Sequence, residues 1–332
     1  MMISDAHLDL GMDLLKCHRE GDCRVMERYY LPEWRASGVG LIVSAIYLSR
    51  MEQEQDYYLE AMAQIDALEQ ELSTLNGEVV LCTDGEQIKQ TRGEGKIALL
   101  LSLEGAEPIG TDLAKLDEFY NRGVRLLGLT WSRENHAGHG AGYGPDGETD
   151  TWGLKPFGKE LVRRADELGI LIDVSHLNQG GCDDVAALVT RPFFASHSNS
   201  RVLRPMDRNL SDRTIAAIAA SGGVIGANGY SGLVGDPGQA TVAGLTDHIE
   251  YLRDHAGADR VGLGLDLMIR ISGGSDTFTY QGVTAEAFDI LPDHGAMDNL
   301  RRELAGRGWS EHDISAVVGE NWFRFFSQNL SA

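Results

Sequence analysis

The chain has 332 residues, of which 42% are hydrophobic, enough to bury the core of one large domain or of two average ones. Its 50 acidic and 29 basic residues give a formal charge of −21, and this charge argues against nucleic acid or an anionic lipid surface as a partner. The four cysteines form no Cys-x-x-Cys pair, and the sequence contains neither a signal-peptide pattern nor an uncharged apolar run of 18 residues, so we expect a protein of the reducing cytoplasm.

Eight apolar runs have the composition of buried strands. The first, at the N-terminus, ends in the triplet His7-Leu8-Asp9, and several of the later ones also end in a histidine or a carboxylate. Runs of this length that are rich in Val, Ile and Leu are typical of strands covered on both faces. The predicted strands span residues 1–9, 38–48, 96–103, 124–131, 170–175, 192–196, 223–228 and 260–265.

Helical patterns separate most of these strands. The clearest lies at 55–75, where apolar residues recur at three- and four-residue intervals among Glu and Gln. Ser211 has the position of a helix N-cap. The other predicted helices span 113–122, 156–168, 183–189, 213–221 and 242–255, and three short helical patterns follow residue 290, the last of them near 321–326.

This alternation predicts the fold class. Eight strand–helix units over about 265 residues match a (β/α)8 TIM barrel, for which about 250 residues are typical. We therefore predict an α/β protein with a single domain over residues 1–332 and extra C-terminal helices. A doubly wound open sheet is the lesser alternative, because such a sheet seldom needs eight strands.

One segment between the fourth strand and the next helix has no periodicity. Residues 132–153 are rich in glycine and contain His136 and His139. A loop of this length inside a compact domain tends to carry function. The segment matches neither a Walker loop nor a dinucleotide fingerprint, because no helix opens directly behind it.

Residues that can bind metal stand at the ends of the predicted strands. In a (β/α)8 barrel the carboxyl ends of all strands meet at one rim, so side chains distant in sequence converge there. His7 and Asp9 are two residues apart in one strand and therefore point to the same side. The full set is His7, Asp9, Glu104, His176, His197 and Asp266.

The residue types in this set indicate the metal and the chemistry. Imidazoles together with carboxylates suit Zn²⁺ or a similar divalent ion, and six ligands exceed the three of an ordinary catalytic zinc site, so we predict two ions bridged by Glu104. No lysine lies at the carboxyl end of a predicted strand, so a modified-lysine bridge is not available, and the same absence argues against Schiff-base chemistry. The expected reaction is hydrolysis by a metal-bridging hydroxide, with Asp266 taking and returning the proton.

Several segments carry a resemblance to a known family. In order, DAHLDL, LSLEGAEPI, VRLLGLTW, GLKPFGKELVRRADELGILIDVSHL, PFFASHSNSR, DRNLSD and VGLGLDL resemble the membrane dipeptidase (renal dipeptidase) family of the amidohydrolase superfamily, most strongly between Gly153 and Asp212. The resemblance implies a barrel with a binuclear zinc centre, and relatives form homodimers. It implies His7, Asp9 and Glu104 on one zinc, and Glu104 with His176 and His197 on the other.

The resemblance also assigns two residues outside the metal ligands and shows two departures. It implies that Asp266 is the acid/base and that Arg208 binds the terminal carboxylate of the substrate. Animal members carry a histidine that polarises the scissile carbonyl where this chain has Trp131, which can donate only through its indole N–H. His136 or His139 is a candidate to replace that histidine. The family often has a second aspartate where this chain has Met268.

The predicted function is that of a binuclear zinc dipeptidase acting on small dipeptides. Bacterial relatives suggest L-Xaa-D-Xaa pairs among the substrates. The first alternative is another amide or ester hydrolase on the same metal site, such as an N-acyl amino acid hydrolase or a lactonase. The second is a metal-dependent binding protein without catalysis, in which Trp131 marks lost chemistry.

Overall fold

Parallel strands form the centre of the structure, a computed structural model that describes residues 1–49, 54–144, 147, 149–236, 240–268, 270, 276–280 and 283–331. Each is flanked by helices that cover its outer face. The parallel strands are β1 (Ile3–Leu8), β2 (Val39–Tyr47), β3 (Val79–Leu81), β4 (Ile97–Glu104), β5 (Val124–Gly128), β6 (Leu171–Asp173), β7 (Ile225–Ala227) and β8 (Val261–Leu263).

The strands curl into a barrel. Hydrogen bonding connects them in the order β6-β5-β4-β2-β1-β8-β7. The gap between β6 and β7 is bridged by two residues, since Phe194 pairs in parallel with Asp173 and Ala195 pairs in parallel with Ile225. The predicted sixth strand therefore occupies its place in the ring as a pair of bridges. The predicted (β/α)8 fold is confirmed.

Thirteen α-helices are described, and they include every predicted one. They are α1 (Leu10–Arg19), α2 (Leu31–Ser37), α3 (Glu54–Thr74), α4 (Gly85–Gly93), α5 (Leu113–Asn121), α6 (Pro156–Leu168), α7 (Gln179–Leu188), α8 (Asp212–Ser221), α9 (Ser231–Val234), α10 (Val242–Ala256), α11 (Met297–Gly306), α12 (Glu311–Ser315) and α13 (Asn321–Asn329). Ser211 caps α8 as predicted, because its hydroxyl accepts a hydrogen bond from the backbone N–H of Thr214. None of these helices combines the length and apolarity needed to cross a membrane.

Some elements were not predicted. Helix α1, in a segment rich in charged residues, buries Leu10, Leu14 and Leu15 together with one carboxylate, Asp13. The strand β3 has only three residues and pairs with β4 outside the ring. An antiparallel hairpin, β9 (Asp276–Tyr280) with β10 (Val283–Ala287), follows the last barrel strand. Such short or charged segments lack the long apolar pattern from which elements are predicted.

Alternate residues of the strands face two separate apolar layers. Ile42, Leu99 and Leu127 pack outward against the helices. Leu41 and Leu100 face inward and contact the aromatic residues of α13. This period of two also turns Glu104 inward, because it lies four residues after Leu100 on the same face of β4.

The C-terminal helix α13 closes the amino end of the barrel. Trp322 is fully buried, and its indole N–H donates to the carbonyl of Leu263 at 2.9 Å. The ring lies so close to β8 that a Cβ on Gly262 would be 2.3 Å from its nitrogen. The extra C-terminal helices are therefore part of the core, and the opposite, carboxyl end of the strands is left for a functional site.

Candidate metal centre

The six predicted ligands converge at the carboxyl end of the barrel. His7 lies near the end of β1, Glu104 ends β4, and Asp266 follows β8. His176 follows β6 and His197 follows the bridges that close the ring. Although they are up to 259 positions apart in sequence (7 to 266), the structure brings these side chains together in one cup.

Glu104 lies between the three histidines. Its Oε1 atom is 2.8 Å from Nε2 of His176, 3.5 Å from Nε2 of His197 and 3.6 Å from Nε2 of His7. Nε2 of His7 is also 3.7 Å from Oδ1 of Asp9 and 3.8 Å from Oδ1 of Asp266. Two groups are close enough to hold an ion: Glu104 with His7 and His197, and His7 with Asp9 and Asp266.

These donor atoms fit metal ions. Two ligand atoms on one tetrahedral zinc, each about 2.0 Å from it, stand about 3.3 Å apart, and the Nε2 atoms of His176 and His197 are 2.9 Å apart. Oδ1 of Asp9 is buried and has no hydrogen-bond partner among the described residues. A buried carboxylate oxygen without a partner is costly, and a cation would satisfy it.

Burial and neighbouring charges shift the pKa values of several side chains in the cup. Burial raises the pKa of Asp9 to about 7, His7 opposes that shift, and Asp266 adds to it. Burial, followed by the charges of Asp9 and Asp266, raises the pKa of Glu104 well above its usual range. Burial lowers the pKa of both His176 and His197 well below the usual value. Neutral imidazoles are the form that binds metal.

Hydrogen bonds orient two of the imidazoles. Nδ1 of His176 is 2.8 Å from the hydroxyl of Ser132, and Nδ1 of His197 is 2.6 Å from the hydroxyl of Ser196. The hydroxyl of Ser196 donates in turn to Asp173. With Nδ1 engaged in this way, each ring presents Nε2 to Glu104, the arrangement that metal-binding histidines commonly have.

Asp266 has an unusual backbone. Its φ of 58° lies in the left-handed region, which residues other than glycine seldom adopt. The amide of Asn228, just after β7, donates to Oδ2 of Asp266 at 3.1 Å. Strain of this kind is characteristic of functional sites. Asn228 was not singled out from the sequence, although it too ends a predicted strand.

Arg208 lies beside the histidines and is 1% exposed. Its guanidinium donates to the carbonyls of Ser175 and His197 and to the hydroxyl of Ser198, and its Nη2 is 3.0 Å from Nε2 of His176. Its Nε is buried without a hydrogen-bond partner among the described residues. The structure thus brings Arg208 to the edge of the cup, behind His176.

A cavity of about 300 Å³ opens above the carboxylates, within the size range of small-molecule sites. Trp131 lines it, with its ring centroid 5.5 Å from that of His176 and 5.6 Å from that of Tyr47. Besides the cup residues, the lining includes several aromatic and apolar side chains that the sequence did not mark. Its described lining is Asp9, Tyr47, Glu104, Trp131, Tyr143, His176, Tyr230, Leu233, Asp266 and Met268.

The two histidines of the 132–153 loop do not lie in this cavity. His136 is exposed and lines a different cavity with Tyr57 and Lys155. The ring of His139 packs edge-on against Trp152, at 4.7 Å between centroids. The loop returns to the cup at Ala141, whose N–H donates to the carbonyl of His176, and at Tyr143, which lines the cavity, but neither histidine is among the residues that line it.

A buried ion pair between Asp5 and His294 contacts the backbone beside the cup. Asp5 in β1 accepts hydrogen bonds from the backbone N–H groups of His7 (3.3 Å) and Leu265 (2.9 Å), next to Asp266. Nε2 of His294 donates to the other oxygen of Asp5 at 2.9 Å. Burial opposes the charge of His294, but its hydrogen bonds to Asp5 and Glu33 prevail and raise its pKa to about 9.

This pair predicts a pH-dependent stability. Because the folded-state pKa of His294 exceeds the ordinary value of 6.5, its stabilisation is fully present below pH 6.5 and disappears as the pH rises through about 9. We expect the unfolding free energy of the wild type to exceed that of His294→Gln by about 3 kcal/mol more at pH 6 than at pH 10. Urea denaturation of both proteins across this range measures the difference.

A control uses His312→Gln, since that imidazole is exposed on α12 and its removal should leave the pH dependence of the wild type unchanged. If the difference in unfolding free energy between the wild type and His294→Gln stayed constant from pH 6 to pH 10, the pKa of His294 would not be raised by the ion pair.

The sequence profile of the membrane dipeptidase family (peptidase family M19) matches residues 1–332. An uncharacterised protein encoded in the pqqA 5′ region of Klebsiella pneumoniae is 32% identical over 272 residues, which cover 78% of this chain and 95% of that protein. An uncharacterised dipeptidase of Schizosaccharomyces pombe is 32% identical over 211 residues, covering 62% of this chain and 50% of that protein.

Solved structures show the same similarity. A metallopeptidase from Rhodobacter sphaeroides, liganded with a phosphinate mimic of the dipeptide L-Ala-D-Ala, is 26% identical with a TM-score of 0.86, and the match covers 100% of this chain and 99% of that one. A metallopeptidase described as dipeptidase AC is 27% identical with a TM-score of 0.85 and the same coverage.

Proposed function

Because the chain belongs to the membrane dipeptidase family of the amidohydrolase superfamily, we propose that it is a zinc-dependent dipeptidase that cleaves the amide bond of small dipeptides. The observation that carries the proposal is the convergence of three imidazoles and three carboxylates at the floor of a cavity of about 300 Å³. The dipeptide mimic bound by the Rhodobacter sphaeroides enzyme supports L-Xaa-D-Xaa substrates.

Two zinc ions would be held around Glu104. His7 and Asp9 would share one of them with Glu104, and His176 and His197 would share the other, as the distances between these groups allow. Bound ions of this kind lower the pKa of a coordinated water and polarise a carbonyl oxygen.

Asp266 would move the proton. Its carboxylate lies 3.8 Å from Nε2 of His7 at the floor of the cavity, where Asn228 fixes one of its oxygens. In this position Asp266 can accept a proton from the attacking water and then donate it to the leaving amine.

Trp131 and Arg208 would position the substrate. Trp131 lines the cavity beside His176, and its indole N–H is the donor that this position offers to a substrate oxygen. The charge of Arg208, adjacent to His176, would attract the terminal carboxylate of a dipeptide. His136 and His139 have no place in this proposal, because they lie outside the cavity.

The test of the proposed function is hydrolysis of a dipeptide library that includes L,D pairs, with the zinc-loaded protein and the chelated protein compared. Turnover of dipeptides that disappears on chelation and returns with zinc is the expected result. Cleavage of N-acyl amino acids or lactones, with dipeptides left intact, would overturn it in favour of another hydrolase. Two bound metals per chain without turnover of any of these compounds would indicate a binding protein.

The role of Arg208 predicts a dependence on the substrate carboxylate. We expect kcat/KM of the wild type to be about 10–100-fold higher for a dipeptide than for its C-terminal amide, because the amide removes the charge-assisted hydrogen bond. In Arg208→Lys the values of kcat/KM for the dipeptide and for its amide should differ much less, since lysine lacks the planar fork of donors. Kinetics on both substrates with both proteins measure the effect.

Arg213→Lys is a matched control for this comparison, because that arginine is exposed on α8 and its replacement should leave the preference unchanged. Equal kcat/KM of the wild type for the dipeptide and for its C-terminal amide would show that Arg208 does not bind the substrate carboxylate.

A further inference from the structure

Three side chains form an apolar wall of the cavity beside Asp266. This wall consists of Tyr230, Leu233 and Met268, which come from the segments that follow β7 and β8. Tyr230 is 9% exposed and Leu233 is 2% exposed. Met206 and Ala287 are buried in the same cluster, so the wall has a packed layer behind it.

The backbone of the wall is fixed by hydrogen bonds from neighbouring side chains. The N–H of Tyr230 donates to Oδ1 of Asn228 at 2.6 Å, and the N–H of Met268 donates to Oδ2 of Asp289 at 2.9 Å. The carbonyl of Leu233 accepts from Nδ2 of Asn209 at 3.1 Å. A surface held in this way is formed before a ligand arrives, and therefore costs little ordering on binding.

The described lining offers no lysine or arginine that could pair with a side chain placed on this wall. Its carboxylates and imidazole are those of the proposed metal centre and of the proposed proton-transfer residue, Asp266. An anionic side chain against the wall would lose water without gaining a cationic partner, and an amide side chain would lose water against the apolar groups of Leu233 and Met268. An apolar side chain would be favoured there by burial.

On these grounds, and resting on the proposed dipeptidase function, we infer that the apolar wall is a side-chain subsite that selects dipeptides with an apolar side chain at one of their two positions. Met268 is its specificity-determining residue. It is partly exposed to the cavity, whereas Tyr230 and Leu233 are anchored in the cluster behind it.

Two matched series of dipeptides test the inference with the zinc-loaded protein. Each series keeps alanine at one position and places Leu or Asn, which have the same shape, at the other. In one of the two series we expect kcat/KM to be at least about tenfold higher for Leu than for Asn, the order of discrimination that a hydrophobic pocket reaches. Equal values in both series would overturn the inference while leaving the dipeptidase proposal in place.

Variants then connect the preference to the wall. Met268→Asp should reduce the ratio of Leu to Asn by at least about tenfold, and Met268→Leu should retain it. Leu59→Asp is the matched control, an exposed apolar side chain on α3 whose change should leave the ratio unaltered. A ratio that is unchanged in Met268→Asp would overturn the assignment of Met268. If no dipeptide is cleaved at all, both the proposed function and this inference are refuted.

Discussion

The Asp266→Asn variant is expected to turn over dipeptides about 10²–10⁴-fold more slowly than the wild type, the range that a positioned acid/base contributes. Asparagine keeps the shape of the side chain, and its amide oxygen can still accept the hydrogen bond from Asn228. The amide cannot, however, accept a proton from water and return it to the amine. The loss should appear in kcat, with KM changed little, because binding of the ground state does not require the proton transfer.

Steady-state kinetics together with the metal content of the purified proteins separate this effect from loss of the metal. Asp259→Asn, at an exposed position before β8, serves as the control and should keep the rate of the wild type. If Asp266→Asn kept full metal and a kcat within a few-fold of the wild type, another group would have to carry the proton.

The His197→Ala variant is expected to lose both metal and activity. Residues that merely support metal ligands change metal affinity by about 10–100-fold, so removal of a ligand should lower the affinity by more than about 100-fold. The substitution also removes the imidazole ring that stacks on His7 at 3.7 Å between centroids, and it leaves the hydroxyl of Ser196 without one of its hydrogen-bond partners. Metal analysis after dialysis, and activity at increasing zinc, measure the effect.

The matched control is His312→Ala, which removes an exposed imidazole. It should retain the metal and the activity of the wild type. Partial recovery of His197→Ala at high zinc would agree with a weakened site, whereas full activity with wild-type metal content would show that His197 is not a ligand.

Both predictions depend on residues that could be found from the sequence, for one physical reason. In a (β/α)8 barrel the end of every strand reaches the same rim, so His7, Glu104, His176 and Asp266 could be grouped once eight strands had been recognised. Even the sixth strand, which forms only bridges at Phe194 and Ala195, was marked by its apolar run before His197.

The same reasoning does not predict the position of groups that lie within a loop. His136 and His139 are close in sequence to Trp131, yet the loop carries one of them to a different cavity and packs the other on Trp152. Asn228 ends a predicted strand as the predicted ligands do, but its residue type alone does not distinguish it from the other asparagines of the chain. Its contact with Asp266 is visible only in three dimensions.

By itself, the sequence determined the barrel, the strand ends and the types of side chain at the rim, because these follow from periodicity and from the common direction of parallel strands. Only the tertiary structure decided the distances around Glu104, the burial that shifts the pKa of Asp9, and the apolar wall with Met268. These properties arise from packing between segments far apart in the chain, and local sequence patterns do not encode the distance between such segments.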